Sequence, residues 1–558
     1  MTSNFGLRSR GTRLRRVLGV AAVVSMACAL AAGCTSAHES GRKTGSSSNA
    51  PLPAPGKAAA TSPIAKLTVG FSNEPVTTLD PGDPNGGYSG FTFGNLALES
   101  LFQIKPDGTL DPWLATKVTQ SSPTEYVYAL RQGVKFWDGN ELTATDVVYS
   151  LLNEATENGL VKLGVGNPLF NSVSKIEARD NYTVVVTLKQ PDMAWQYTPA
   201  LFYSLIYEKK FAEAHRKTFG KPGTLVMGTG PWKVDSFDPT TGASLSANPS
   251  YWGGEPPIKQ IAVKLYSSDT SLQFAMRSGE VDLAPSVQIP QPFKATSGVE
   301  VTTVPSCGTS LIGMPTQTAP FNDIHVRRAV AYAINRKDIM AATGGAAAAP
   351  IDTLYAPLIL KALASASGID VDTALKSVPT YAYDVDKAKQ ELAQSAYPKG
   401  FTATLAAPSD QNVLKIDQVI AAQLQKVGIT VKLQPITSLA YGQLLTGPED
   451  KRPFTFSSTG ACTPDPSWDD SLFLGGNLLD VANYQPADVN KLVADGLKTQ
   501  DPKQRMQTYI AILKRLAEDV PYVPLYAEAY SYASNKYDWV GFSAFWTSTR
   551  WALNLKPR

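Results

Sequence analysis

Leu130-Arg131-Gln132-Gly133-Val134-Lys135-Phe136-Trp137-Asp138-Gly139 runs on, after two residues, into Leu142-Thr143-Ala144-Thr145-Asp146-Val147-Val148-Tyr149-Ser150. Residues 126–130 just ahead have strand character. Asp138-Gly139 is a turn signal, because Asp bonds the backbone ahead of it and Gly accepts a positive φ. Thr143 and Asp146 have the spacing of a capping box, and the helix they start carries Val147, Val148, Leu151 and Leu152. Strand, turn and capped helix in immediate succession indicate an α/β protein.

The rest of the body repeats this alternation. Residues 67–71 form an opening strand. Residues 175–178 and 182–188 flank Asp180-Asn181 as a hairpin. Residues 272–278 predict a helix stopped by Gly279. Residues 413–427 are amphipathic, with Leu414, Val419, Ala421, Leu424 and Val427 near one face. Gly428 ends that helix, and residues 429–433 form the next strand. No tandem repeat at a fixed period is present.

The N-terminus carries an export pattern. Arg8, Arg10, Arg13, Arg15 and Arg16 precede a short apolar run that ends in Leu30-Ala31-Ala32-Gly33-Cys34. A positive region, an apolar stretch and small residues at a cleavage point make a secretory signal. Residues 17–33 are short for a bilayer span, which takes about 20 apolar residues. Cys34 directly after the small residues resembles the lipobox of bacterial lipoproteins. That likeness implies acylation of Cys34 and cleavage of residues 1–33, with the protein held at the outer face of the cell membrane. Residues 34–63, rich in Ser, Gly, Ala and Pro, form a flexible linker.

The body beyond residue 63 is long enough for two or three lobes. Hydrophobic residues make up 43% of the chain and charged residues 18%, an ordinary globular balance, and the net charge is +3. No basic block or aromatic-basic stripe points to nucleic acid. Cys307 and Cys462 remain once Cys34 is acylated, and in an oxidising compartment such a pair favours a disulfide over metal ligation. Only His215 and His325 remain in the body, which argues against a zinc site and against histidine acid-base catalysis. There is no His-Glu-x-x-His and no Gly-x-Ser-x-Gly. Gly228-Thr229-Gly230 lacks the Gly-Lys-Ser/Thr of a phosphate loop. The chain is not expected to be an enzyme, and no cofactor or metal is expected.

Ten segments in order resemble the extracytoplasmic solute-binding proteins of bacterial ABC importers, in the large peptide/nickel-binding branch, family 5. They include Leu79-Asp80-Pro81, the run from Asp107 to Ala115, the opening stretch above, Gly228-Thr229-Gly230-Pro231-Trp232, and Asn248-Pro249-Ser250-Tyr251-Trp252-Gly253-Gly254. Ser278-Gly279-Glu280-Val281-Asp282 follows, then Pro320-Phe321-Asn322-Asp323 with Val326-Arg327-Arg328-Ala329 and Ala333-Ile334-Asn335-Arg336. Most of these are turn and cap chemistry. Asn322 or Asp323 is placed to cap a helix, and Arg327 to pair with acids.

The resemblance implies a two-lobed, periplasmic-binding-protein-like α/β fold of type II that closes by hinge motion. Residues 64–304 plus 531–558 form lobe I, with residues 106–225 an extra subdomain, and residues 305–530 form lobe II. The chain crosses the hinge near Cys307 and near Ala529. In oligopeptide-binding relatives the peptide adds as an extended strand. The matching positions here are Asn73 and Glu74 after the opening strand, and Ala461, Cys462 and Thr463. Those relatives also carry a cysteine pair at the places of Cys307 and Cys462, which implies a disulfide.

In the same relatives an aspartate binds the peptide's α-ammonium, and Asp465 is the nearest match. Strict alignment from Cys462 puts Pro464 there instead, and the bland reading of Asp465 is a turn residue between two prolines. Asp469 and Asp470 are substitutes, read otherwise as exposed loop charges. Tyr88 and Trp468 are candidate cleft walls; Trp546 and Trp551 favour the core. The expectation is a monomeric, lipid-anchored receptor on the extracytoplasmic face of the membrane. It passes a solute, a peptide first of all, to an ABC permease. An oligosaccharide receptor, left open by nine tryptophans, and a surface peptide sensor without transport stand as alternatives.

Overall fold

The structure is a computed structural model. It describes residues 63–72, 76–81, 94–155, 170–445, 448, 452–459, 462–476 and 480–558. Cys34, the leader and nearly all of the linker lie outside these residues.

The opening stretch folds as its chemistry dictates. The strand Glu125–Leu130 leads through a turn at Gly139, where φ is +95°, into helix α1, Ala144–Ala155. The Thr143 N–H and hydroxyl both donate to Asp146 Oδ2, at 3.0 and 2.8 Å, so the carboxylate half of the expected capping box is formed. The predicted hairpin is present as Val173–Asp180 and Thr183–Leu188. With Ala115–Ser122 and Glu125–Leu130 these strands make a separate four-stranded sheet.

Eleven strands of the described residues form one sheet. Ten of them carry labels: β1 Ile64–Ser72, β2 Trp232–Asp238, β3 Gly242–Ala247, β4 Ile258–Tyr266, β5 Leu283–Ala284, β6 Glu300–Gly313, β7 Phe401–Pro408, β8 Ile429–Ile436, β9 Phe454–Ser458 and β10 Tyr522–Ser534. Their order is β8-β7-β9-β6-β10-β5-β1-β4-β3-β2, and the short strand Ala347–Pro350 pairs with β10. Each half has a parallel centre, β1 with β4 and β5 in one, β7 with β8 and β9 in the other. Parallel strands need crossover helices. Helix α2, Asp269–Arg277, serves in the first half and α3, Gln411–Gln425, in the second. Gly279 and Gly428, at φ +77° and +91°, turn the chain just beyond them.

The antiparallel pair β6 and β10 joins the two halves. It runs from Glu300 opposite Ser534 to Gly313 opposite Tyr522, with a register shift between Pro305 and Thr309. A bulge there bends the ribbon where it passes from one half to the other. The molecule is thus a two-lobed α/β protein. The lobes also meet elsewhere: Met193 N–H donates to Leu497 O at 3.0 Å, and one apolar cluster contains both Trp195 and Trp468.

Candidate functional site

Ligands of open α/β sheets bind outside the carboxyl ends of the strands. Here those ends converge from both lobes. Strands β1 and β4 lead to Ser72 and Asp269, and β7 and β9 lead to Asp410 and Thr459. Ser72 Oγ donates to Asp269 Oδ1, and Ile289 N–H donates to Oδ2 at 2.7 Å. Burial pushes the Asp269 carboxyl up, and the charge of Asp410 on the other lobe adds to the rise. Asp410 caps α3, accepting from Asn412 N–H at 2.8 Å and Val413 N–H at 3.2 Å.

Glu528 sits where β10 crosses between the lobes, 3% exposed. Ser310 Oγ donates to its Oε1 at 2.6 Å, and Ser458 also favours its ionised form. Among the described residues no basic group acts on it, and burial pushes its carboxyl up to about 8. A Cβ on Gly308 would lie 2.5 Å from Glu528 Oε2 and 2.8 Å from Thr459 O, so the backbone passes this carboxylate only as glycine. Cys307 and Cys462 form a disulfide beside the bulge, tying β6 to the chain that leaves β9.

The segment after Cys462 departs from its sequence reading. Asp465 is fully buried and its charge is engaged: Arg505 Nη1 lies 2.7 Å from Oδ2, and Arg505 Nη2 donates to Oδ1 at 2.9 Å. Ser467 N–H donates to the same Oδ1 at 3.0 Å, and Tyr509 OH does so at 3.3 Å. Burial works against the Arg505 charge, and Asp465 outweighs it, holding the guanidinium firmly protonated. Asp465 is therefore an internal counter-ion with an Asx turn, so its free charge for an α-ammonium is gone.

Asp469 and Asp470 are likewise not exposed loop charges. They lie in the first turn of α4, Ser467–Phe473, each 1% exposed. Asp470 Oδ1 accepts from Tyr355 OH at 2.5 Å, and burial pushes the carboxyl up to about 8. Asp469 has no cation beside it among the described residues; burial and then the Asp470 charge push its carboxyl well up, and a hydrogen bond from Thr459 opposes them.

Of the other expected site residues, Thr463 is buried with its hydroxyl donating to Asp465 O at 3.1 Å. Trp468 is buried, stacks on Tyr203 across the lobes with ring centres 6.3 Å apart, and has an unpartnered indole N–H. Asn73, Glu74, Tyr88 and Ala461 lie outside the described residues. Trp546 and Trp551 are core, as expected. Asp323 caps its helix, whereas Arg327 donates to the carbonyls of Phe321 and Asp519 rather than to acids. His325 pairs with Glu391 at 2.7 Å. Among the described residues no group of three His, Cys, Asp or Glu side chains is placed to hold a metal, and no helix is long and apolar enough to cross a membrane.

Glu528 was not singled out from the sequence. Its signal is there all the same: in Ala527-Glu528-Ala529 it is the one charged residue of the strand Tyr522–Ser534.

A two-lobed fold with strand ends converging on an interlobe gap defines a solute-binding receptor, and the comparisons agree. The family model "Bacterial extracellular solute-binding proteins, family 5 Middle" matches residues 109–509. The chain belongs to this family of ABC-importer binding proteins, whose members are not enzymes. It is 27% identical over 489 residues to the glutathione-binding protein GsiB of Escherichia coli K12, covering 84% of this chain and 90% of that one. The structure of AgaA with agropinic acid, from A. tumefacien R10, superposes with a TM-score of 0.72 at 25% identity, covering 88% of this chain and 99% of that one. DppA of Helicobacter pylori with the peptide STSA gives 0.74 at 21% identity, covering 89% and 98%.

Proposed function

We propose that this protein is an exported receptor, anchored through an acylated Cys34 on the extracytoplasmic face of the cell membrane, that captures a solute in the interlobe cleft and delivers it to an ABC permease. Residues 64–304 with 531–558 act as one jaw and 305–530 as the other. The observation that carries the reading is the convergence of Ser72 and Asp269 from one lobe with Asp410 and Thr459 from the other, beside a bulged two-strand hinge. A cleft built this way buries its ligand on closure and presents a different surface when full.

A short peptide or peptide-like solute fits best. On the family likeness, Asn73, Glu74, Ala461 and Thr463 are the positions that would meet an extended backbone, and Tyr88 and Trp468 those that would wall it. Asp469 takes the anchoring role in place of Asp465, because it is a buried acid of this segment with no cation beside it among the described residues. The receptor acts as a monomer. The test is native mass spectrometry of the tether-free body with release of co-purified ligand. Peptide or peptide-like masses support the reading, and a sugar or a metal chelate overturns the peptide assignment while the receptor role stands.

A further inference from the structure

A solvent-open gap lies between the lobes at the hinge, lined by Gln288, Thr343, Ala346, Asn412, Val413, Ile416, Tyr526 and Glu528. Gln288 comes from one lobe and the α3 residues from the other. Val413, Ile416 and Ala346 make one wall apolar, and the Glu528 carboxylate provides a single charged group.

None of the lining residues is basic. The rim adds more acid. Asp410 bonds the backbone N–H groups of Asn412 and Val413, both of which line the cavity, and Asp269 bonds Ile289 next to Gln288. Glu528 gets hydroxyl donors, from Ser310 and Ser458, but no counter-ion among the described residues. A carboxylate held out of water without a cation is costly to ionise, and the two hydroxyls supply no positive charge. Apolar walls leading to one buried acid complement a side chain with an aliphatic stem and a cationic head.

We propose that this cavity is the specificity pocket of the receptor and selects a solute bearing an aliphatic chain that ends in an ammonium or guanidinium, whose charge meets Glu528. The proposal rests on the cleft being the ligand site. Arrival of the cation ionises Glu528 and binds the hinge strand β10 to ligand held by both lobes, so closure and charge recognition are one event.

Titration calorimetry of the tether-free body with the tripeptides Ala-Lys-Ala, Ala-Arg-Ala, Ala-Met-Ala and Ala-Glu-Ala tests this. The wild type is expected to favour the two basic peptides. Glu528→Gln is expected to lower their affinity about 30-fold or more while leaving Ala-Met-Ala unchanged. Ala346→Phe fills the cavity without touching the charge and is expected to lose the basic peptides as well; it decides the matter if Glu528→Gln fails to fold. Equal affinity of Glu528→Gln and wild type for basic peptides overturns the pocket. So does wild-type preference for the neutral or acidic peptide, which leaves the receptor reading intact. No binding of any of the four, with no co-purified ligand by native mass spectrometry, overturns both.

Discussion

Glu99 in the first lobe and Glu528 at the hinge are both carboxylates excluded from water, and their surroundings differ in kind. Glu99 is 0% exposed and fully coordinated. Trp113 Nε1 and Tyr251 OH donate to Oε1 at 2.6 and 2.8 Å, and Thr229 Oγ1 and Trp252 Nε1 donate to Oε2 at 2.7 and 3.0 Å. The charges of Arg550 and Arg131 lie close enough to be coupled to it. Glu528 has hydroxyls, no cation and a cavity in front of it. An acid saturated by donors ties Trp113 to the segments that carry Thr229, Tyr251 and Trp252. An acid left under-compensated beside a cavity is a place for something that arrives later. The same contrast recurs on a smaller scale between Asp465, paired with Arg505, and Asp469, which has no cation beside it among the described residues.

Four changes break or sharpen this contrast. Glu99→Ala orphans four buried donors and leaves Arg550 uncompensated, so urea denaturation is expected to show a loss of about 4–5 kcal/mol. Arg505→Leu leaves the Asp465 charge buried and alone, and it also strips Gly496 O of its donor. It is expected to cost about 3–4 kcal/mol, and a near-neutral result would move Asp465 back among the candidate ligand groups.

The third test uses pH. Burial raises Glu528 and Asp470 to about 8, Asp417 to about 7 and Asp480 to about 6. Between the ordinary carboxylate range and these values, the folded ligand-free protein holds protons that the unfolded chain has released. Its stability therefore falls as pH rises from about 5 to 8, by up to about 1.4 kcal/mol per pH unit for each such group. A thermal midpoint that rises over this window would show that the acids are compensated after all.

Asp469→Asn is the smallest change in stability. Burial already pushes this carboxyl towards its neutral form, so the amide is expected to leave the ligand-free protein within about 1 kcal/mol of wild type. The same variant is expected to lose affinity for the co-purified ligand. Unchanged affinity would place the anchor elsewhere.

Local structure was well legible in the chain. The expected helix at 413–427 is α3, Gln411–Gln425, and the expected strand at 429–433 is β8, because an apolar face, a stop glycine and a β-branched run are all short-range signals. The disulfide implied by the family likeness is present. The candidate site was less legible. Asp465, Asp469 and Asp470 stand within six positions in a stretch of prolines and polar residues, which is how a surface loop is written. Their burial depends on Tyr203, Tyr355, Arg505 and Tyr509, residues distant in sequence that the fold gathers around them.

What the sequence determined by itself was the α/β alternation, its glycine stops and caps, and the order of the family's segments, since each depends on residues a few positions apart. Which carboxylate is spent inside the protein and which is left over was decided only by the tertiary structure. Compensation of a buried charge depends on donors and cations brought together from far along the chain, 40 positions away for Arg505 and Asp465 and 218 for Ser310 and Glu528.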